Sequence, residues 1–443
     1  MNSKPLQYES VKVVLLHLNP NVRIQIAGRL PAIRLTEKLV PLRIHELQFG
    51  RFHTIISNTT YRLGVYRKYP PLEKVPNREQ TENEEGGAQY DIDRYGFGSY
   101  PGNTFFGPGD VSFLFDKFSD LRIVTDKDEV SYQNEMKKNE DELAQKWKIS
   151  PYARKESDID CIKALQSIID HYREELLPFH RRRLNLPTPY VCELQVTIIT
   201  GKIVKQIHRF PYTMKLPEAV KKLNNFLFGG RRVAIQVPRF GVPSRNPTLH
   251  LPVGFKIKTK YIDNVAFLSL FYDSLMSILD DSCFPLNAVS MYPHVDIEHN
   301  RRFPKIENAR KLVITEVDGD SKLQEILKNI SSQHVLLSDY KTDYQAKDYF
   351  DLIQNWLKND FPRGRCYSFV VKKEEIATRL LNLISEQLEN TTKSERCISI
   401  PAWNSVRLEV SYGQSIGPCN EENRRYIDVK NWAWVLDIQI FRD

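Results

Sequence analysis

Short apolar segments recur at a fixed interval in the second half of the chain. A pair of apolar residues separated by one residue occurs four times, each pair 23 residues after the last: Ala266 and Leu268, Val289 and Met291, Leu312 and Ile314, and Val335 and Leu337. This alternation indicates a β-strand in each unit. A unit this short cannot bury its apolar face alone, so it has to stack on its neighbours.

The connections between these segments favour one kind of fold. Tyr272–Leu279 and Lys322–Ile330 have helix-like patterns, although Pro293–Asn308 is mostly polar. The interval lies within the roughly 20–29-residue period of leucine-rich repeats, whose typical asparagine is absent here. We predict an α/β (α+β) fold in which residues 263–443 form a leucine-rich-repeat-like curved sheet with helices on its outer side.

The first 49 residues show a helical periodicity instead. A first apolar helical face consists of Val11, Val14, Leu15 and Leu18. After the turn signal Asn19-Pro20-Asn21, a second face consists of Val22, Ile26 and Leu30. Leu35 and Leu39 indicate a third short turn. Helices in so small a unit cannot bury a core of their own, so they must dock on the rest of the chain or on another protein.

This N-terminal segment resembles an F-box, with an apolar start, a Val/Leu-rich helix, a polar turn and an Arg-containing second helix. It departs from that pattern because Pro5-Leu6 reverses the usual order and the tryptophan-containing tail is absent. A helical cap on a larger fold fits the same periodicity. By the resemblance, the residues that would bind an adaptor protein are Leu6, Val11, Val14, Leu15, Leu18 and Ile26.

Two further units are predicted between these regions. Residues 50–185 would hold a β-hairpin, a long Gly/Pro-rich loop from Tyr69 to about Gly109, and helices, the last of which Pro178 would end. Residues 186–262 would form a unit of hairpin, helix and strand. A chain of 443 residues has room for several domains. The predicted division is therefore 1–49, 50–185, 186–262 and 263–443.

Composition limits the classes of partner and location. The net charge of +8 is modest, and basic clusters such as Arg181-Arg182-Arg183 are scattered instead of forming one stripe. Nucleic-acid binding is therefore not expected. The absence of a long apolar run and of a secretory signal predicts no membrane contact. Six widely spaced cysteines without a C-x-x-C motif predict an intracellular protein, in the cytosol or the nucleus.

The strongest metal signal is Asp91-x-Asp93-x-x-Gly96, which matches the first half of a calcium-binding loop. The twelfth loop position, where such a loop carries a bidentate acid, is Gly102. An Asx-turn closed by glycines explains the same residues without a metal. His294 and His299 are the best-placed histidine pair, but Pro293 favours a polar loop there. We predict no metal and no cofactor.

No catalytic signature stands out in the sequence. It lacks a G-x-S-x-G elbow, an H-E-x-x-H pair, a dinucleotide fingerprint and a Walker loop. We therefore predict that the chain is not an enzyme.

A wider resemblance covers nearly the full chain. The matching phrases are PLQYESVKVVLLHLNPNVRIQIAGRLPAI, VPLRIHELQF, TTYRLGVYRKY, EGGAQYDIDRYGFG, KLPEAVKKLNNFLFGGRR, LHLPVGFKIK, LIQNWLKNDFPRGRCYSF and RCISIPAWNSVRLEVSYG. They resemble the F-box-associated domains expanded in nematodes, a group called F-box C proteins. The resemblance implies that the N-terminal helices hold a Skp-type adaptor while the C-terminal part presents a protein target to a cullin ubiquitin ligase. The alternative is a repeat-built interaction protein that binds no adaptor.

Overall fold

One large mixed β-sheet dominates the structure, a computed structural model. The structure describes residues 8–73, 75–99, 106–113, 124–148, 156–241, 248–265, 268–291, 303–315, 323, 327, 330, 332–338, 344–359, 364–402, 406–414 and 434–442. Helices and strands alternate along much of the chain, so the predicted mixed α/β class is confirmed. A separate F-box unit, a leucine-rich-repeat curvature and the four-part division of the chain stay predictions.

The strands are β1 Glu46–Phe49, β2 His53–Ile56, β3 Thr59–Lys68, β4 Asp91–Ile92, β5 Gly98–Ser99, β6 Val111–Ser112, β7 Val191–Thr200, β8 Ile203–Pro211, β9 Ile235–Gln236, β10 Arg239–Gly241, β11 Thr248–Leu249, β12 Ile257–Lys258, β13 Tyr261–Val265, β14 Ala288–Met291, β15 Lys311–Thr315, β16 His334–Ser338, β17 Cys366–Val371, β18 Thr392–Lys393, β19 Cys397–Ala402, β20 Val406–Gln414 and β21 Trp434–Arg442. Fifteen of them form the large sheet in the order β18-β19-β20-β21-β17-β16-β15-β14-β13-β10-β1-β2-β3-β7-β8.

The helices are α1 Tyr8–His17, α2 Pro20–Arg29, α3 Pro31–Leu39, α4 Asn77–Glu84, α5 Asp126–Trp147, α6 Glu156–Leu184, α7 Leu216–Phe228, α8 Leu268–Ile278, α9 Pro304–Glu307, α10 Ala346–Lys358 and α11 Glu374–Gln387. Prolines occupy the first turn of α2, α3 and α7, where a missing N–H costs no helical hydrogen bond.

The middle of the sheet is parallel, from β1 through β10, β13, β14, β15 and β16 to β17. Val289 pairs with Leu312, which pairs with Val335, so the predicted 23-residue interval is the observed register of these strands. The strand predicted at Ala266 and Leu268, the first unit of the repeat, is wrong. Leu268 begins helix α8 instead of lying in a strand, and the strand that pairs with β14 is β13. Ala266 lies outside the described residues.

Antiparallel strands flank the parallel ones. The predicted hairpins β2–β3 and β7–β8 are confirmed, and β3 pairs with β7 over its whole length. Their turns use backbone with positive φ, at Ser57 (φ 57°) and Gly201 (φ 60°). At the other end, β21 pairs antiparallel with both β17 and β20.

One apolar cluster runs from the N-terminal helices to the last helix. It includes Ile24 of α2, Leu47 of β1, Leu312 of β15 and Leu380 of α11. Strand β1 lies between β10 and β2 in the sheet. Residues 8–49 therefore share a hydrophobic core with the rest of the described chain.

The prediction that Pro178 ends a helix is wrong. Helix α6 continues from Glu156 to Leu184 through this proline, so the basic run at 181–183 is helical. The physical reason lies in the next residue. Phe179 is fully buried and packs edge-on against Phe97, with ring centroids 4.9 Å apart. This burial holds the helix together across the missing hydrogen bond.

Candidate interaction surface on the N-terminal helices

A buried arginine fixes the three N-terminal helices to one another. Arg23 of α2 is 1% exposed. Its Nε donates to the Glu37 carboxylate at 2.8 Å, Nη1 to the carbonyls of Leu15 (3.3 Å) and Pro41 (2.8 Å), and Nη2 to the carbonyls of Glu37 and Val40, both at 2.5 Å. All five N–H donors of a guanidinium are thereby used. Burial lowers the pKa of Arg23, although Glu37 raises it.

The same unit is joined to the body of the protein by polar contacts. Arg231, which follows α7, donates from Nη2 to the Glu37 carboxylate at 2.6 Å. Asn21 donates to the Ile56 carbonyl of β2 at 3.1 Å and accepts from the Tyr61 hydroxyl of β3 at 3.0 Å. These groups are buried, and burial raises the pKa of Tyr61 to about 12. Losing one partner would leave a desolvated polar group, so the helices are held firmly in place.

The structure separates the predicted adaptor-binding residues by exposure. Val14 is 45% exposed, whereas Leu15 is 2% exposed and belongs to the protein's own core. Val11, Leu18 and Ile26 are half-buried. Leu6 lies outside the described residues. Of the predicted set that the structure describes, Val14 is the most exposed.

Other apolar side chains of these helices are also exposed, and the predicted adaptor-binding residues did not include them. Together with Val14 they form what we call the N-terminal apolar set: Val13, Val14, Val22, Leu30, Leu35 and Leu39. Leu35 is the most exposed of them, at 77%. Leu35 and Leu39 stand four residues apart on one side of α3. That spacing was visible in the sequence, but periodicity does not tell an inward face from an outward one.

A polar row on strands β15, β16, β17 and β21 was also missed. Ser368 donates to the Asp437 carboxylate at 2.5 Å, and His334 Nε2 lies 3.0 Å from the Ser368 hydroxyl oxygen. Burial, with the nearby Lys311 ammonium, lowers the pKa of His334 to about 4, and burial raises that of Asp437. A catalytic triad places the imidazole between serine and carboxylate. Here the serine occupies the middle, so its proton goes to Asp437.

The two aspartates of the calcium-like loop accept hydrogen bonds from other groups of the same chain. The Asp93 carboxylate accepts from the backbone N–H groups of Tyr95 (2.8 Å) and Phe97 (2.9 Å), as the Asx-turn interpretation expects. Asp91 is buried and accepts from the Tyr212 hydroxyl at 2.5 Å and from the Leu216 N–H, at the start of α7, at 2.9 Å. Both carboxylates therefore fix the loop and the helix end.

Other predicted features are only partly covered by the structure. Gly102, His294 and His299 lie outside the described residues. Within the described ranges, no group of three or more His, Cys, Asp or Glu side chains could hold a metal ion. The described helices also include none with the length and hydropathy that a membrane span requires.

Comparison with known proteins gives one match. A family model described as a domain of unknown function, DUF3557, matches residues 215–373. No curated protein and no solved structure matches the chain. The matched region begins at α7 and ends after β17, so it covers most of the parallel strands, while the N-terminal helices lie outside it.

Proposed function

We propose that this chain is a non-enzymatic, intracellular protein-interaction module that serves as a substrate-recognition subunit of a cullin ubiquitin ligase. In this role the N-terminal helices bind a Skp-type adaptor, and the rest of the chain holds a protein target. The F-box resemblance of residues 1–49 supports the adaptor, and the DUF3557 match leaves the activity of residues 215–373 open.

The observation that carries the proposal is the N-terminal apolar set. Val13, Val14 and Leu35 are each at least 45% exposed, on helices that the Arg23 hydrogen bonds hold rigid. Exposed apolar side chains gain free energy when a partner removes them from water, at roughly 25 cal/mol per Å². Rigid helices also lose little conformational entropy when they bind.

Adaptor binding tests the proposal. Leu35→Asp and Val14→Asp place charges in the N-terminal apolar set without cutting into the core. Each variant should weaken co-purification of the full chain with a Skp-type adaptor by about tenfold or more, the effect of roughly 1.4 kcal/mol. The matched control is Leu72→Asp, because Leu72 is 100% exposed and far from these helices in sequence. This control should bind like the wild type, and all three variants should keep the wild-type melting temperature.

A second function is favoured by a different observation. Leu15 is buried in the protein's own core, and Arg231 and Tyr61 bind the N-terminal helices to the body. These contacts fit a scaffold-type interaction protein whose helices cap the fold and bind no adaptor. A wild-type chain that retains no adaptor in the co-purification would support this alternative and contradict the ligase role.

A further inference from the structure

A recess lies between strand β3, helix α4 and the paired helices α5 and α6. Its volume is about 390 Å³, within the range of sites that hold small molecules or single side chains. Aromatic and charged side chains line it, and we call it the β3–α6 cleft. The lining also includes residues from Arg78 to Gly98, within the segment predicted as one long loop. That prediction is wrong in part, because the segment contains helix α4 and strands β4 and β5.

A buried arginine forms one wall of the cleft. The Arg67 side chain is 4% exposed, and its Nη1 donates to the Glu82 carboxylate at 2.6 Å. Its Nη2 donates to the Tyr90 hydroxyl at 2.7 Å, and its Nε lies 3.5 Å from the Glu79 carboxylate. Glu79 also accepts from the Tyr69 hydroxyl at 2.7 Å. The Glu79 and Glu82 carboxylates of α4 thus hold this wall in place.

Two glycines allow the loop after β4 to close on the cleft. A Cβ added at Gly96 would lie 2.9 Å from Arg181 Nη1, and one at Gly98 would lie 2.9 Å from the Tyr90 ring. Gly96 also has a φ of +98°, which a residue with a side chain rarely adopts. Arg181 approaches the backbone so closely only because this position is a glycine.

Helix α6 contributes acceptors without partners. Glu174, Pro178 and Arg181 are spaced by four and three residues, so they lie on one side of the helix, and all three line the cleft. Pro178 has no N–H, which leaves the Glu174 carbonyl without its helical donor. The neighbouring Glu175 pairs with Arg78. The Glu174 carboxylate makes no hydrogen bond or ion pair with any described residue.

The charges of the lining therefore do not cancel in pairs. Arg67 and Arg78 are engaged by Glu79, Glu82 and Glu175. Glu174, which has no ion-pair partner among the described residues, lines the same cleft as the aromatic rings of Tyr132 and Tyr172, whose centroids lie 6.0 Å apart. At the Glu174 end of the cleft, a carboxylate in an aromatic lining attracts a cation and disfavours an anion.

The opposite end of this helical face offers a donor. Arg181 Nη1 makes a long contact of 3.5 Å to the Tyr95 carbonyl, which leaves most of its N–H groups available to a further acceptor. On an α-helix, seven residues span about 10 Å, so Glu174 and Arg181 can contact different parts of one ligand. A peptide supplies both groups, since it has a cationic side chain and a main-chain carbonyl.

We propose that the β3–α6 cleft binds a lysine or arginine side chain of a protein segment, with Glu174 as the ion-pair partner of the cation. Arg181 then donates a hydrogen bond to a main-chain carbonyl of the same segment. The inference rests on the proposed interaction role of the chain, whose target would carry this basic residue, and it does not depend on adaptor binding.

Titration of the full chain with blocked amino acids tests the site. The probes are the Nα-acetyl amides of lysine, arginine, norleucine and glutamate, followed by calorimetry or chemical shifts. The lysine or arginine probe should bind more tightly than the norleucine probe. Glu174→Gln should weaken cation binding by about tenfold, the loss of roughly 1.4 kcal/mol. The matched control Asp160→Asn removes an equal charge from a 72% exposed side chain on the same helix and should leave binding unchanged.

Three results would overturn the inference. They are equal binding of the lysine, arginine and norleucine probes, tightest binding of the glutamate probe, and a Glu174→Gln affinity within twofold of the wild type. Each is independent of the adaptor experiment, because Val14 and Leu35 do not line the cleft. If the wild-type chain binds no adaptor, the expected result of the cation titration stays the same.

Discussion

The N-terminal helices and the β3–α6 cleft each hold a buried arginine, but they expose opposite kinds of group. Arg23 uses all its donors on internal acceptors, and the helices around it present apolar side chains to solvent. Arg67 is paired with the carboxylates of α4, and the surrounding cleft has aromatic walls and one unpaired carboxylate on α6. A buried arginine with several partners stiffens each region, and the groups around that arginine define what can bind there.

The two regions should therefore differ in how they recognise partners. Apolar side chains spread over three helices suit an extended surface, because burial energy grows with area. A recess with one unpaired carboxylate suits a single cationic side chain, because a desolvated ion pair depends on geometry and charge. Substitutions of the buried arginine contacts, compared with substitutions of the exposed groups around them, test this distinction.

The largest expected effect is the loss of the arginine that holds the N-terminal helices. Arg23→Met keeps the apolar stem but leaves the Glu37 carboxylate and four backbone carbonyls without this donor. The free energy of unfolding should fall by about 3–5 kcal/mol, as for other broken buried ion pairs. Arg29→Met, at an exposed position of the same helix, is the control and should change it by less than about 0.5 kcal/mol. Urea denaturation of both variants makes the measurement, and equal losses would contradict the assigned role.

The second-largest expected effect is the difference in stability loss between a buried and an exposed position of helix α1. Leu15→Ala removes a core side chain and should cost about 2–5 kcal/mol in unfolding free energy. Val14→Ala, one residue away, should cost less than about 0.5 kcal/mol because Val14 is 45% exposed. At equal concentrations of folded protein, Val14→Ala should weaken adaptor binding more than Leu15→Ala does. If both changes cost the same stability, the exposure assigned to this helix is wrong.

The smallest effect concerns the pH dependence of the cleft. Burial, and next the Glu79 carboxylate, raise the pKa of Glu174, with Asp170 acting in the same direction and Arg78 and His171 opposing them. A carboxyl whose folded pKa is raised destabilises the fold when ionised, so its cost is present at neutral pH and disappears as the pH falls through that pKa. Glu174→Gln should therefore be slightly more stable than the wild type at pH 7, by less than about 1 kcal/mol after solvent screening.

Urea denaturation at pH 7 and at pH 4 checks this prediction. The advantage of Glu174→Gln should shrink at the lower pH, where the wild-type carboxyl is largely protonated. A group with a purely structural role would lose stability on substitution, so a destabilised Glu174→Gln protein at pH 7 would argue against a ligand site.

Much of the secondary structure could be predicted from local patterns. The 23-residue interval became the register between Val289, Leu312 and Val335, because parallel strands of equal units pair at equal positions. The hairpins β2–β3 and β7–β8 followed from alternation and turn residues. The sequence misplaced the strand near Leu268 and ended α6 at Pro178. In α6 a long-range contact, the burial of Phe179, outweighed the local rule.

The candidate sites were less accessible to sequence reasoning. Val14 and Leu15 were assigned to one apolar helical face, but Val14 is exposed and Leu15 is buried. The cleft joins Arg67, Glu79 and Glu174, which are separated by up to about a hundred positions and carry no common motif. The row of His334, Ser368 and Asp437 likewise exists only through strand pairing.

The sequence alone indicated most of the helices and strands, the interval of the parallel strands, and the absence of familiar catalytic motifs. Those features depend on residues that are neighbours in the chain, or on a period that repeats along it. The tertiary structure, in contrast, determines which apolar faces meet the core and which carboxylates pair with an arginine, and it leaves Glu174 without such a pair among the described residues. Exposure and charge pairing depend on contacts between distant segments, which the fold alone specifies.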